Sequence, residues 1–242
     1  MWDGILMATG MVLGVFIALR EAKRLNIKED DILNLAIIAI PCGLIGARAY
    51  YVIFNWSYYS GNIAEILNFR GGGLAIHGAL IGGILAGFIY AKVKKLNFFK
   101  LADCVVIGIP LAQAIGRWGN FMNQEAHGGP VTEAFISKFP EFIQRGMLIN
   151  GTYYHPTFLY ESIWDLAIFI FIWSFRKKKK YEGQLAIYYL ILYSLGRFFI
   201  EGLRTDSLMI GPLRMAQVIS LITIIVCLIL HKILSKRNKE AN

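Results

Sequence analysis

Apolar residues run along this chain in stretches too long for the core of a soluble domain. Seven can be read, at about 4–19, 32–54, 73–91, 101–119, 157–175, 184–200 and 213–234, and a helix that crosses a bilayer needs about 20 mostly apolar residues. The pattern predicts an all-α, polytopic integral membrane protein of about seven transmembrane helices. It reads as one transmembrane domain over residues 1–242, with no internal repeat and no broken helices in matching halves. The first stretch holds about 16 residues, roughly 24 Å at 1.5 Å per residue, short of a ~30 Å hydrocarbon core. It has neither a basic leader nor a cleavage site, so it does not read as a signal peptide.

The polar intervals give this array a direction. Seventeen of the 25 Lys and Arg fall in four clusters, Arg20 to Lys28, Lys92 to Lys100, Arg176 to Lys180 and Lys232 to Lys239. Each follows an apolar stretch, and the connections in between hold few lysines. Basic residues concentrate in cytoplasmic loops, so the N-terminus is expected outside and the C-terminus in the cytoplasm. Two of the outer connections are notable. Residues 55–72 carry Trp56, Tyr58 and Tyr59, suited to a membrane interface, and residues 120–156 form the longest loop, with Pro130, Pro140 and Pro156. A loop of that length is more often functional than idle.

Composition agrees: 56% of residues are hydrophobic and the net charge is +9. A basic balance can signal nucleic acid, but here the clustering makes it a topology signal, and no nucleic-acid partner is expected. Cys42, Cys104 and Cys227 lie in or beside apolar stretches without a CxxC or a histidine at ligand spacing, so disulfides and zinc are not expected.

Candidate chemistry lies in polar residues inside the apolar stretches. Arginine at mid-bilayer costs roughly 2.5 to 3.5 kcal/mol on insertion scales, so Arg117, at the end of the fourth stretch, calls for a function. Asn120 lies three residues on and shares its helix face; Asn123, Glu125 and Gly128 follow in a segment loosened by glycine. Tyr193, Arg197 and Glu201 repeat every four residues, with Arg204 three beyond, making one polar stripe on an apolar helix. Such a stripe must face other helices or a wet cavity. His77, in the glycine-rich opening of the third stretch, is either a buried hydrogen-bonding residue or a general base near neutrality. Glu161 and Tyr160, after His155-Pro156, and Arg48 in the second stretch stand at the same expected outer level. Glu161 could partner an arginine or a histidine, and an Arg117–Glu125 pair could be merely structural. A guanidinium fork suits phosphate or carboxylate. No acidic cluster for Mg2+, no nucleophile elbow and no nucleotide-binding loop is present, so neither metal nor cofactor is expected.

Four motifs then come together in order: the His77-Gly segment, Gly116-Arg117-x-x-Asn120-Phe121-x-Asn123-x-Glu125-x-x-Gly128, His155-Pro156 to Tyr160-Glu161, and Tyr193-x-x-x-Arg197-x-x-x-Glu201. Over nearly the whole chain they resemble the prolipoprotein diacylglyceryl transferases. The resemblance implies transfer of the diacylglyceryl group of phosphatidylglycerol to the lipobox cysteine of a prolipoprotein, at the outer leaflet of the bacterial cytoplasmic membrane. A thioether forms and glycerol 1-phosphate leaves. It implies His77, Arg117, Arg197 and Glu201 as catalytic residues, and Arg117, Asn120, Asn123, Glu125, Gly128, Tyr193, Arg197 and Arg204 as binding phosphatidylglycerol. Arg48, Tyr160 and Glu161 would support them. The arginines would hold the phosphate, and His77 would take the thiol proton, with Glu201 or Glu125 orienting it or an arginine. The chain departs from the family at its start, where Asp3 of Met1-Trp2-Asp3-Gly4 stands in place of a tyrosine; with the short first stretch this reads as a late start or an altered N-terminus. The competing expectation is a transporter or binder of an anionic lipid or phosphate-bearing solute.

Overall fold

The computed structural model describes residues 2–68, 73, 75–205, 209–210 and 212–241, and among these the side chains of Trp2, Asp3, Ile76, His77, Ile210 and Ala241 lie outside the description. Two compact units emerge, one of Leu19–Ala102 and one of Met1–Ala18 with Asp103–Asn242. The helices are α1 (Trp2–Leu25), α2 (Glu29–Phe54), α3 (Trp56–Tyr59), α4 (Ile63–Ile66), α5 (Ile76–Val93), α6 (Phe98–Val106), α7 (Ile109–Asn123), α8 (Glu133–Ile136), α9 (Glu141–Gly146), α10 (Thr157–Phe175), α11 (Gln184–Glu201) and α12 (Met215–Ala241).

Among the described residues, four helices are long and apolar enough to cross a membrane, within α1, α2, α10 and α12, and the bent pair α6–α7 makes a fifth if counted as one span. The protein is therefore helical with four or five clear span candidates, against seven expected. Two boundaries also differ from expectation. The first helix continues to Leu25, about six residues beyond the expected end near residue 19, and its basic last turn is held in helical register by Arg24 Nε donating to Glu21 at 2.8 Å. The expected continuous span over 101–119 is instead broken by 43° between α6 and α7. Gly108 lies at the break against the backbone of Gly14, and Pro110 falls in the first turn of α7, where its missing N–H costs nothing.

In the smaller unit α2 packs along α5 with Gly46, Gly78 and Gly82 at the contact; backbones this close leave no room for a Cβ. Arg48 donates to the carbonyls of Ile66 at 2.9 Å and Gly73 at 3.0 Å and lies over the Tyr59 ring. It thereby ties the connection after α4 to α2.

In the larger unit α10 packs against both α7 and α11, and α11 against α12. Val106, Ile107, Ile168, Ile172 and Leu185 form one buried cluster. The α7–α10 connection, expected as a long loop, folds into a small structure of its own. Strands β1 (Pro130–Val131), β2 (Leu148–Ile149) and β3 (Thr152–Tyr154) make an antiparallel sheet in the order β1-β3-β2. Asn150 and Gly151 take positive φ between β2 and β3, the two-residue turn that matches strand twist. Ile136, Ile143, Met147 and Phe158 are buried beneath it. A further hairpin joins β4 (Met209–Ile210) and β5 (Leu213–Arg214) before α12.

Candidate functional site

The end of α7, the start of α10 and the end of α11 meet at one level of the larger unit. Ser162 Oγ donates to the Ala114 carbonyl at 2.8 Å and receives the Trp118 indole N–H at 3.2 Å, which fixes α10 against α7. On the other side the Trp164 indole donates to the Leu192 carbonyl at 2.9 Å. That ring lies where a Cβ on Gly196 would be, so glycine is what lets α10 and α11 close.

Glu161 sits between the arginines. Its Oε2 is 2.8 Å from Arg117 Nε and its Oε1 2.6 Å from Arg197 Nη1, with Arg204 Nη1 at 3.8 Å. Arg197 is held from its other nitrogen by Glu201, at 2.6 Å. Glu161 and Glu201 are both buried. Removing either partner of such a pair would leave an uncompensated buried charge. Arg117 engages through Nε alone, so the fork of its two terminal nitrogens has no partner among the described residues. Beside these groups opens a small cleft lined by Arg117, Glu161, Asp165, Tyr193, Gly196 and Arg197.

The other sequence-read residues fall into three places. Asn120 and Asn123 donate their amides to Glu125 Oε1, at 3.2 and 3.3 Å; Glu125 thus serves the asparagines, while Arg117 pairs with Glu161. Gly128 is a junction. Its N–H donates to the His155 carbonyl at 3.0 Å, it bridges to Arg204, and a Cβ there would lie 2.6 Å from that of His155. Tyr160, immediately before Glu161, meets His155 Nδ1 at 3.3 Å. Burial holds the His155 ring below its ordinary pKa. Arg48 belongs to the smaller unit, and the His77 side chain lies outside the described residues.

Sequence reasoning passed over four contributors. Asp165 is one turn beyond Glu161, a spacing of four that could have drawn attention to it. Trp164 and Gly196 form the α10–α11 notch, which no local pattern announces. Arg214, on β5, donates to the carbonyls of Glu201 and Arg204 and ties the segment after α11 to the cluster. Chemically, the site offers an oriented guanidinium fork and neighbouring carboxylates beside a cleft. This is a setting for an anion whose charge grows during reaction.

A family model described as prolipoprotein diacylglyceryl transferase matches residues 1–233. A protein of Clostridioides difficile (strain 630) is 66% identical over 240 residues, covering 99% of this chain and 93% of the relative. Relatives from Bacillus cytotoxicus and Clostridium novyi are 55% and 56% identical, covering 94% and 95% of this chain and 85% and 89% of their own lengths. All three carry the name phosphatidylglycerol–prolipoprotein diacylglyceryl transferase.

Proposed function

The chain belongs to the prolipoprotein diacylglyceryl transferase family, and on that premise we propose how its residues divide the work. It is a multi-pass bacterial membrane protein and a transferase of lipoprotein biosynthesis, acting on phosphatidylglycerol and a prolipoprotein. The reaction forms a bond from the lipobox cysteine Sγ to the glyceryl carbon and breaks that carbon's bond to the phosphate oxygen. Glycerol 1-phosphate leaves with the bonding electrons. The observation that carries the assignment of roles is the Arg117 fork, aimed by Glu161 through Nε at 2.8 Å and otherwise open beside the cleft.

Arg117 holds the phosphate and meets the charge that builds on its oxygen as the bond breaks, a contribution usually among the largest in such sites. Arg197, gripped by Glu161 and Glu201, stiffens the cluster and supplies the second positive charge. The thiol, with an ordinary pKa near 8.5, gives its proton to His77. Asn120, Asn123, Glu125 and Gly128 shape the wall next to the phosphate, and Tyr193 and Arg204 complete the lipid site.

The array crosses the membrane seven times, with α5 and α11 as the shorter crossings of 18 residues each, about 27 Å at 1.5 Å per residue. The basic run Arg176 to Lys180 stands between α10 and α11, at the other end of both helices from Glu161 and Glu201. Basic ends face the cytoplasm, so the cleft faces the outer leaflet, the N-terminus is outside and the C-terminus inside. The purified protein, incubated with phosphatidylglycerol and a lipobox peptide, is expected to yield a thioether-linked diacylglyceryl peptide and glycerol 1-phosphate. Binding of the lipid without either product would sink the reading and favour a transporter or lipid binder.

A further inference from the structure

The role of Asp165 is unclaimed by the phosphate chemistry. It is 2% exposed, on the face of α10 that carries Glu161 one turn earlier, and it lines the cleft with Arg117, Tyr193 and Arg197. Its neighbour Glu161 has both oxygens occupied by guanidinium groups. Asp165 differs: it makes no ion pair among the described residues, and its Oδ2 accepts no hydrogen bond there. A buried carboxylate oxygen without a donor is costly, and folded proteins rarely leave one so. The cost is understandable where a ligand brings the donor.

We propose that Asp165 is a specificity residue for the lipid head group, its open oxygen accepting a hydrogen bond from a hydroxyl of the head-group glycerol of phosphatidylglycerol. This rests on the reading of the cleft as the phosphatidylglycerol site. The placement fits the substrate's own connectivity. The head-group glycerol is joined to the phosphate through a single ester oxygen, so a phosphate on the Arg117 fork brings its hydroxyls within a few bonds of the cleft that Arg117 and Asp165 share. The charges fit as well. An ammonium head group would set a cation beside Arg117, Arg197 and Arg204, whereas a hydroxyl offers the donor without the charge. A site that holds a buried acceptor for a substrate hydroxyl also rejects the analogue lacking it, because the acceptor is then left unpaired.

The discriminating substrate is phosphatidylpropanol, which keeps the phosphodiester and acyl chains and lacks only the two head-group hydroxyls. With the full-length enzyme in lipid-detergent micelles and a lipobox peptide, wild type is expected to favour phosphatidylglycerol over phosphatidylpropanol in kcat/KM by about 10- to 100-fold, the range for one lost hydrogen bond to a charged partner. In Asp165→Leu the preference should collapse towards unity, and Asp165→Asn, which keeps an acceptor oxygen, should restore part of it. The ratio is internal to each variant, so reduced yield or partial misfolding cannot mimic it. Wild type that uses both lipids equally would overturn the proposal. So would an Asp165→Leu enzyme that loses both activities in proportion and keeps the wild-type ratio, since Asp165 would then be a packing residue. Wild type that transfers nothing from phosphatidylglycerol would instead bring down the functional reading beneath it.

Discussion

The two ends of α11 meet buried carboxylates on very different terms. At its start, Asp103 of α6 is fully buried. Its Oδ1 accepts the backbone N–H groups of Leu185 and Ala186 at 2.9 and 3.0 Å, and its Oδ2 accepts Gly183 N–H at 2.8 Å and Lys179 Nζ at 2.7 Å. Every lone pair that matters has a donor, three of them main-chain amides of a helix start that favours negative charge. At the other end, Glu161 is surrounded by the guanidinium groups of arginine side chains, and Asp165 has an oxygen without a donor. One carboxylate is closed by the backbone and holds the fold. The other is closed by side chains alone, and its neighbour keeps an open oxygen beside the cleft. The residue types are alike; the kind of donor separates architecture from chemistry.

The contrast breaks first if the two ends respond alike to mutation. Asp103→Ala should cost about 3–5 kcal/mol, the usual loss on breaking a buried pair, read as a sharp fall in folded yield and thermal midpoint, with activity per folded molecule close to wild type. Arg117→Ala should do the reverse. Transfer falls by about 10²–10³, as for loss of one charge-stabilising donor, while the midpoint falls less than in Asp103→Ala because Glu161 keeps Arg197 at 2.6 Å. Near-normal turnover in Arg117→Ala would remove its phosphate role.

A smaller effect sharpens the geometry. Gly196→Ala drives a methyl into the Trp164 indole, an overpacking that costs about 1–3 kcal/mol. Because Trp164 stands beside the cleft, KM for the lipid should rise along with the loss of stability; a stability loss with unchanged KM would detach the notch from the site. The smallest expected effect concerns His155. Burial lowers its folded pKa below the ordinary 6.5, so the unfolded chain takes up the proton first as pH falls. The contribution to stability is complete above about 6.5 and is lost on acidification towards the lower folded value. Once intrinsic exchange rates are divided out, the protection factors of amides across the β1–β3 pairing should therefore fall modestly at pH 5 relative to pH 8, and His155→Asn should flatten that difference.

Much of the site was legible because helical spacing writes it into the sequence. Tyr193, Arg197 and Glu201 had to share a face, and Arg117 could not be idle in an apolar stretch. Their hub was less legible: Glu161 gathers arginines from two other helices, a long-range arrangement that no local spacing encodes. Asp103 escaped notice since it lies just after a basic cluster that reads as a topology signal, and Lys179, counted in another such cluster, proves to be its half-buried partner. The α6–α7 break had a signal in Gly108 and Pro110, overruled by the continuity of apolar residues on both sides. The sheet between α7 and α10 rests on strands of two or three residues, too short for alternation to reveal, although Asn150-Gly151 marks its turn.

The Glu161 hub also sets a schedule for biogenesis. Arg197 follows Glu161 by 36 residues along the chain, which at about 5–20 residues per second of synthesis is a delay of about 2–7 seconds. During that interval the carboxylate has emerged and its second guanidinium has not yet been made. The cluster can close only when α11 arrives, so the cleft is among the last parts of the chain to mature. Retention of α10 at the insertion machinery until α11 joins it would let both charges enter the bilayer as a neutral hairpin.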